Sequence, residues 1–156
     1  MLSELFAALG AEAVTINIDG LYAALQSGRV DGHENPLVIT EVNHLHRVTR
    51  SIAITNHVWS AFNLIGNLAF WNSLADSERE VIHRVVRTHV ARQRAWTAEL
   101  NRTLEARLAG RGMHVARVDT GPFVARLGRE FYARCKERCG REAWRRLEAA
   151  AGPLPA

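Results

Sequence analysis

The sequence predicts an α/β protein with a mixed sheet and one unusually long helix that bridges two lobes. Three observations lead there. Short β-patterned segments alternate with helical ones through the first part of the chain. A helical apolar pattern then runs unbroken from Asp76 to Ala109. At 156 residues, 47% hydrophobic and 23% charged, the chain is long enough and apolar enough to bury a core.

Taken in order, Leu2, Leu5, Phe6 and Leu9 share one helical face over residues 2–9, with Gly10 as the stop. Residues Ala13 to Ile18 alternate as a strand does, and Asp19 is placed to cap a short helix over 20–27. That helix has Leu21, Tyr22 and Leu25 on its face and Gly28 after it. Arg29-Val30-Asp31 reads as short and extended. Gly32 to Pro36 is a loop, and Pro36 suits the first turn of a further helix. Ser51 to Thr55 and Phe62 to Ile65 read as two more strands.

The second half changes character. Glu78 and Glu80 sit in the first turn of the long helix, and Val81, Ile82, Val85, Val86, Val90, Trp96, Leu100, Leu104 and Leu108 mark its apolar face. Thirty-four residues at 1.5 Å each span about 50 Å, more than the width of a domain this size. Gln93 and Thr97 interrupt a heptad repeat, so a helix crossing two lobes explains the length better than a coiled coil. Met113 to Val118 then reads as a strand, Gly121-Pro122 opens a helix to about Cys139, and Arg141 to Ala150 forms the last one.

Composition excludes more than it assigns. No apolar run approaches the ~20 residues of a membrane helix, and two cysteines make no disulfide scaffold. Cys135 and Cys139, four apart on one expected helix, are poorly placed to bridge and are expected as free thiols. The formal charge is +4, and nineteen of the twenty basic residues are Arg. Residues 1–75 carry three bases and six acids, residues 76–156 seventeen bases and ten acids. Such asymmetry raises a nucleic-acid or other anionic partner through the Arg-rich half. The arginines alternate with acids and carry no aromatic stacking ladder, as on solvated helix faces, so no nucleic acid is expected. The residues from Met1 to Phe6 hold no basic region and an early Glu4, so no secretory signal is read here; taken alone, the chain would stay in the cytoplasm.

Candidate chemistry is sparse. His44 and His46 share a side only in an extended strand, His83 and His89 lie on different helical faces, and no HExxH pattern occurs. No P-loop, GxGxxG or GxSxG appears either. No metal, cofactor or enzymatic activity is therefore expected.

One stretch is far more specific. Leu21-Tyr22-Ala23-Ala24-Leu25-Gln26, then Gly28-Arg29-Val30-Asp31-Gly32-His33-Glu34-Asn35-Pro36-Leu37, then Thr55-Asn56-His57, then Phe70-Trp71-Asn72-Ser73-Leu74, occur in this order ahead of the long helix. Together with Gly10-Ala11 they resemble the DctP-type solute-binding proteins of tripartite ATP-independent periplasmic (TRAP) transporters, over essentially the whole chain. The resemblance implies the C-terminal lobe of a two-lobed periplasmic-binding-protein-like fold. Residues 1–60 and 101–150 would form that lobe, 61–100 would cross to the N-terminal lobe, and 151–156 would be a tail. Phe62, Leu64, Ile65 and the valines of 81–90 should then be exposed unless a homodimer or a rearranged packing covers them.

The resemblance further implies a periplasmic subunit for uptake of organic acids, such as C4-dicarboxylates or other carboxylates, that docks with the membrane subunits of a TRAP transporter. Its implied ligand-binding set is Asn35, Trp59, Ile18 and His57. Asn35 matches the family Asn that hydrogen-bonds the solute; as a plain sequence feature it would be a loop Asn capping a helix. Trp59 lines the site or sits in the core. His57 is a hydrogen-bonded residue holding the hinge strand, and Glu34 is structural, because a free carboxylate would repel an anionic solute. Three positions depart from the family pattern: His33 replaces a Gln, Gly20 a Glu, and Ile18 a Phe found in many members. The family's first lobe, its export signal and the Arg-x-Pro segment that clamps the carboxylate have no counterpart in these residues. The chain alone is therefore expected to bind organic acids weakly or not at all.

Overall fold

The computed structural model describes residues 2–154. It holds seven α-helices and one pair of strands among the described residues: α1 Leu2–Ala8, α2 Ile18–Gln26, α3 Leu37–Val42, β1 Ser51–Ile54, α4 Leu68–Ser73, α5 Asp76–Gly110, β2 His114–Arg117, α6 Gly121–Cys139 and α7 Arg141–Ala151. A single 3-10 turn, Leu45–Arg47, links α3 to β1. Met1 and the last two residues of the expected tail lie outside the described residues. The chain divides into two compact units, residues 31–116 and residues 1–30 with 117–156.

In the first of these units, Pro36 precedes α3 with a fixed φ of −57° and leads the chain into the helix. Helix α3 packs against α5 and the 3-10 turn. The centre of this unit is Thr40 and Glu41 of α3, Leu45 of the turn, Leu104 and Leu108 of α5, and Met113, all buried. Leu104 and Leu108 are four apart and so share one face of α5. Strands β1 and β2 form a two-stranded sheet, joined at one end by the His114 N–H donating to the Arg50 carbonyl at 2.8 Å.

Helix α5 is continuous over 35 residues, one residue longer than the sequence pattern predicts. At its start the Glu78 carboxylate accepts from the Ala75 N–H at 2.8 Å, the acidic half of a capping box; Ala75 has no side-chain oxygen to return the bond. Its burial is uneven. The C-terminal third buries Leu104 and Leu108, whereas Val81, Val85, Val90 and Trp96 are exposed. The preceding segment is barer still, with Phe62 98% and Ile65 87% exposed. The expected exposure of this region is therefore present, except at Val86, which is half-buried.

In the second unit, α1 packs on α6 and α6 on α7. Helix α2 buries Leu21, Ala24 and Leu25, spaced three and four apart on one face; Phe131 and Trp144 are the buried aromatics of α6 and α7. Arg138 on α6 donates to both carboxylate oxygens of Glu4 on α1 at 2.8 and 2.7 Å. The run from Gly121 to Cys139 is broken at Gly128, whose combination of φ 68° with ψ 173° only glycine adopts cheaply. Cys135 and Cys139 are free thiols.

Two expected strands and one expected extended piece are corrected. Residues 11–17 have no regular structure, and Ile18 opens α2 with Asn17 at the N-cap position, so Asp19 lies inside the first turn. Arg29 to Asp31 is a bend, not an extended piece. Residues 62–65 are irregular. The reason is common to all three: alternation supplies a face, but a strand also needs a neighbour to take its backbone hydrogen bonds. Among the described residues only β1 and β2 have one. Helix α4, unforeseen from periodicity, is set by Asn67, whose side-chain oxygen accepts from the Phe70 N–H at 3.0 Å.

Candidate functional site

The loop entering α3 and the segment leaving β1 converge. Glu34 Oε1 lies 3.7 Å from His57 Nε2, with the two side chains 29% and 28% exposed, so the contact is shielded but reachable by solvent. The other ring nitrogen of His57, Nδ1, is 2.6 Å from Thr55 Oγ1. The imidazole is thereby fixed at both ends, by a hydroxyl two residues back and by a carboxylate from the other segment. Asn56, between them, adopts the left-handed conformation with φ 48°, which Asn tolerates better than most residues. This backbone choice turns the chain directly after β1.

Beside Glu34, the Asn35 amide nitrogen is 3.3 Å from His33 Nδ1. Asn35 does not cap α3: Pro36 holds the N-cap position and no side chain bonds the helix start. Both His33 and Asn35 are half-buried. Burial pushes the His33 pKa below its ordinary value, with the Glu34 carboxylate acting the other way. His33 is accordingly neutral at pH 7.

Of the residues singled out from sequence, Asn35 and His57 thus fall in segments that Glu34 links. Ile18 is the first residue of α2, in the other compact unit, and is 40% exposed. Trp59, two residues past His57, is 85% exposed and is not a core tryptophan. Sequence reasoning passed over Thr55 as the partner of His57 and read His33 only as a departure from a pattern. The available signal was the spacing of Thr55 and His57, two apart just past the strand, within reach of a local side-chain hydrogen bond.

On α3, Glu41 is nearly enclosed, its side chain 7% exposed. Arg107 Nη2 reaches Glu41 Oε2 at 2.7 Å, and Arg111 Nη2 lies 3.1 Å from Oε1. The second contact has ion-pair distance without hydrogen-bond alignment. The pair of arginines, four apart at the end of α5, anchors α3 and hence the start of the loop–helix junction. An open apolar groove lies where α4 meets α5, lined by Leu74, Ser77, Glu78, Val81 and Ile82. Among the described residues no group of three or more His, Cys, Asp or Glu is placed to hold a metal ion, and no helix is long and apolar enough to cross a membrane.

The α/β architecture with its long helix and small sheet is that of part of a two-lobed solute-binding protein. It superposes on a TRAP periplasmic solute-binding protein from Ochrobactrum anthropi with a TM-score of 0.79 at 26% identity, covering 95% of this chain and 47% of that one. A second such protein, from Escherichia fergusonii in an open form without ligand, shares the fold with a TM-score of 0.78 at 20% identity, covering 94% of this chain and 48% of that one.

The chain belongs to the bacterial extracellular solute-binding proteins, family 7 (DctP), whose family model matches residues 1–133. This is a solute-binding family, not an enzyme family. Curated relatives include the sialic acid-binding periplasmic protein SiaP of Vibrio cholerae, 27% identical over 118 residues, covering 73% of this chain and 36% of that protein. The ectoine-binding periplasmic protein TeaA of Halomonas elongata is 28% identical over 82 residues, 53% of this chain and 24% of that protein. The C4-dicarboxylate-binding periplasmic protein DctP of Rhodobacter capsulatus is 30% identical over 79 residues, 51% of this chain and 24% of that protein. The matched segments therefore cover only 24% to 36% of these relatives' length.

Proposed function

We propose that this chain is the C-terminal portion of a periplasmic TRAP-type solute-binding subunit serving uptake of an organic acid. The observation that carries the reading is the convergence of the Glu34-Asn35-Pro36 loop with Thr55-Asn56-His57 through the Glu34–His57 contact, inside the family match. In this reading Asn35 donates its amide N–H to a solute carboxylate, His57 holds the junction, and the exposed Trp59 supplies apolar wall. Glu34 is drawn to His57 and so does not stand free against an anion.

The relatives' names cover sialic acid, ectoine and C4-dicarboxylates, so the solute class proposed is organic acids at large. Residues 61–100 would run toward a first lobe that completes the site, and the bare side chains of Phe62, Leu64, Ile65, Val81 and Val85 support this assignment. A homodimer over the same surface is the competing way to cover it. Closure of two lobes on the solute would precede docking to the transporter's membrane subunits. A nucleic-acid partner is not proposed: Arg102, Arg138, Arg145 and Arg146 are each engaged by a carboxylate of this chain.

Calorimetry against succinate, sialic acid and ectoine tests the reading. The 156-residue chain is expected to bind none of them at micromolar concentration. The chain joined to a family first lobe carrying the Arg-x-Pro segment should bind one of them tightly. Asn35→Ala in that joined protein removes a hydrogen bond to a charged group, worth about 1.5–3 kcal/mol, or about tenfold to a hundredfold in affinity. Tight binding by the short chain, or an unaffected Asn35→Ala variant, would overturn it.

A further inference from the structure

Asn35 carries two different hydrogen-bonding ends on one flat amide: an oxygen that only accepts and an NH2 that only donates. Which end faces a solute depends on what holds the other. The Asn35 nitrogen sits 3.3 Å from His33 Nδ1. An amide nitrogen cannot accept, so this approach requires Nδ1 to be the lone-pair nitrogen, with the ring proton on Nε2. One Asn35 N–H is then spent on His33, and the carbonyl oxygen and the second N–H remain available.

We propose that His33 is a positioning residue that sets which end of the Asn35 amide is presented to the solute. The inference rests on the reading that Asn35 contacts the solute. A protonated His33 has N–H groups at both ring nitrogens, so its Nδ1 repels the Asn35 NH2. Turning the amide over satisfies the pair again, with the Asn35 oxygen accepting from Nδ1–H and both N–H groups released. The neutral ring thus presents one donor and one acceptor, and the cationic ring presents two donors, the better match to a carboxylate.

The charge acting on His33 is Glu34, which favours the cation, while half-burial opposes it and prevails. His57 lies on the far side of Glu34, 3.7 Å from its Oε1, and shares that carboxylate. Any test must therefore separate the two histidines. The resemblance places Gln at the position of His33; Gln can hold the Asn35 NH2 through its own carbonyl oxygen at every pH. His33→Gln is thus the conservative variant that keeps the anchor and removes the titration.

The experiment is NMR on the uniformly 15N-labelled 156-residue chain, which needs no solute and so stands or falls apart from the functional reading. Long-range ring spectra at pH 7.5 should show His33 with its proton on Nε2. On acidification the Asn35 side-chain amide resonances should move with the His33 ring, with one shared midpoint below about 6.5, the ordinary histidine value. In His33→Gln the Asn35 amide should stay constant across the same range. In His57→Gln the Asn35 titration should persist. An Nδ1–H tautomer at pH 7.5, an Asn35 amide that ignores His33, or an Asn35 titration surviving in His33→Gln would overturn the proposal. Backbone amide spectra of each variant report whether the fold is kept, and His33→Gln read beside His57→Gln assigns the effect if one of them is perturbed.

Discussion

Replacing Glu41 should be the most damaging single change near the site. Its side chain is only 7% exposed and is met by Arg107 at 2.7 Å and Arg111 at 3.1 Å. Breaking a buried ion pair by removing one partner typically costs ~3–5 kcal/mol, chiefly because the other charge is left buried and alone. Here the partners left behind are 46% and 40% exposed and can rehydrate. The expected cost of Glu41→Ala is therefore at or just below the bottom of that range, about 2–3 kcal/mol. Glu41→Gln keeps the shape and one acceptor, so about 1–2 kcal/mol is expected. Thr40 is the control next door: it is fully buried and its hydroxyl has no hydrogen-bond partner among the described residues. Thr40→Val should be neutral or slightly stabilising, since an unmade hydrogen bond is removed with little change of volume. Urea unfolding followed by circular dichroism, extrapolated linearly to water, gives the three values on one scale. A Glu41→Ala variant within about 0.5 kcal/mol of the wild type, the range of ordinary surface changes, would refute the claim that this ion cluster holds α3 to α5.

Three further outcomes are expected of the same structure. Val90→Pro removes a mid-helix hydrogen bond of α5 at a cost of ~3 kcal/mol or more, and because Val81, Val85 and Val90 are exposed little packing resists fraying, so ellipticity at 222 nm should fall; an unchanged spectrum would mean the rod is not continuous. Asn56→Ala forces a left-handed φ on a residue with a Cβ and no compensating amide, costing about 1 kcal/mol, whereas Asn56→Gly should be near neutral; equal urea midpoints would refute the backbone role. His33, held neutral by burial, makes stability pH-dependent. Above about 6.5 both folded and unfolded forms are neutral and the contribution is complete; below it the unfolded ring takes up a proton first. Stability should therefore fall as pH drops through that value toward the lower folded pKa, and His33→Gln should flatten the slope in denaturation midpoints measured from pH 7.5 to 5.

Helices and family membership were legible in the residues alone. Apolar spacing of three and four, Pro36 and Pro122 at helix starts, and glycines at helix ends are local signals, fixed by backbone sterics and one face of a cylinder. They place α1, α2, α5, α6 and α7 to within a residue or two, and of α3 only its start at Pro36. The ordered motifs around Asn35 and His57 are likewise carried by residue identity. Which alternating segments become strands, and which polar residues meet, emerged only once the chain was folded. Ser51–Ile54 pairs with His114–Arg117 across some sixty residues, while Ala13 to Asn17 and Phe62 to Ile65, with comparable alternation, find no strand partner among the described residues. The contacts of Glu34 with His57, and of Glu41 with Arg107 and Arg111, also join residues distant along the chain. Strand pairing and ion pairing are relations between two segments, and a single segment's periodicity holds no record of its partner.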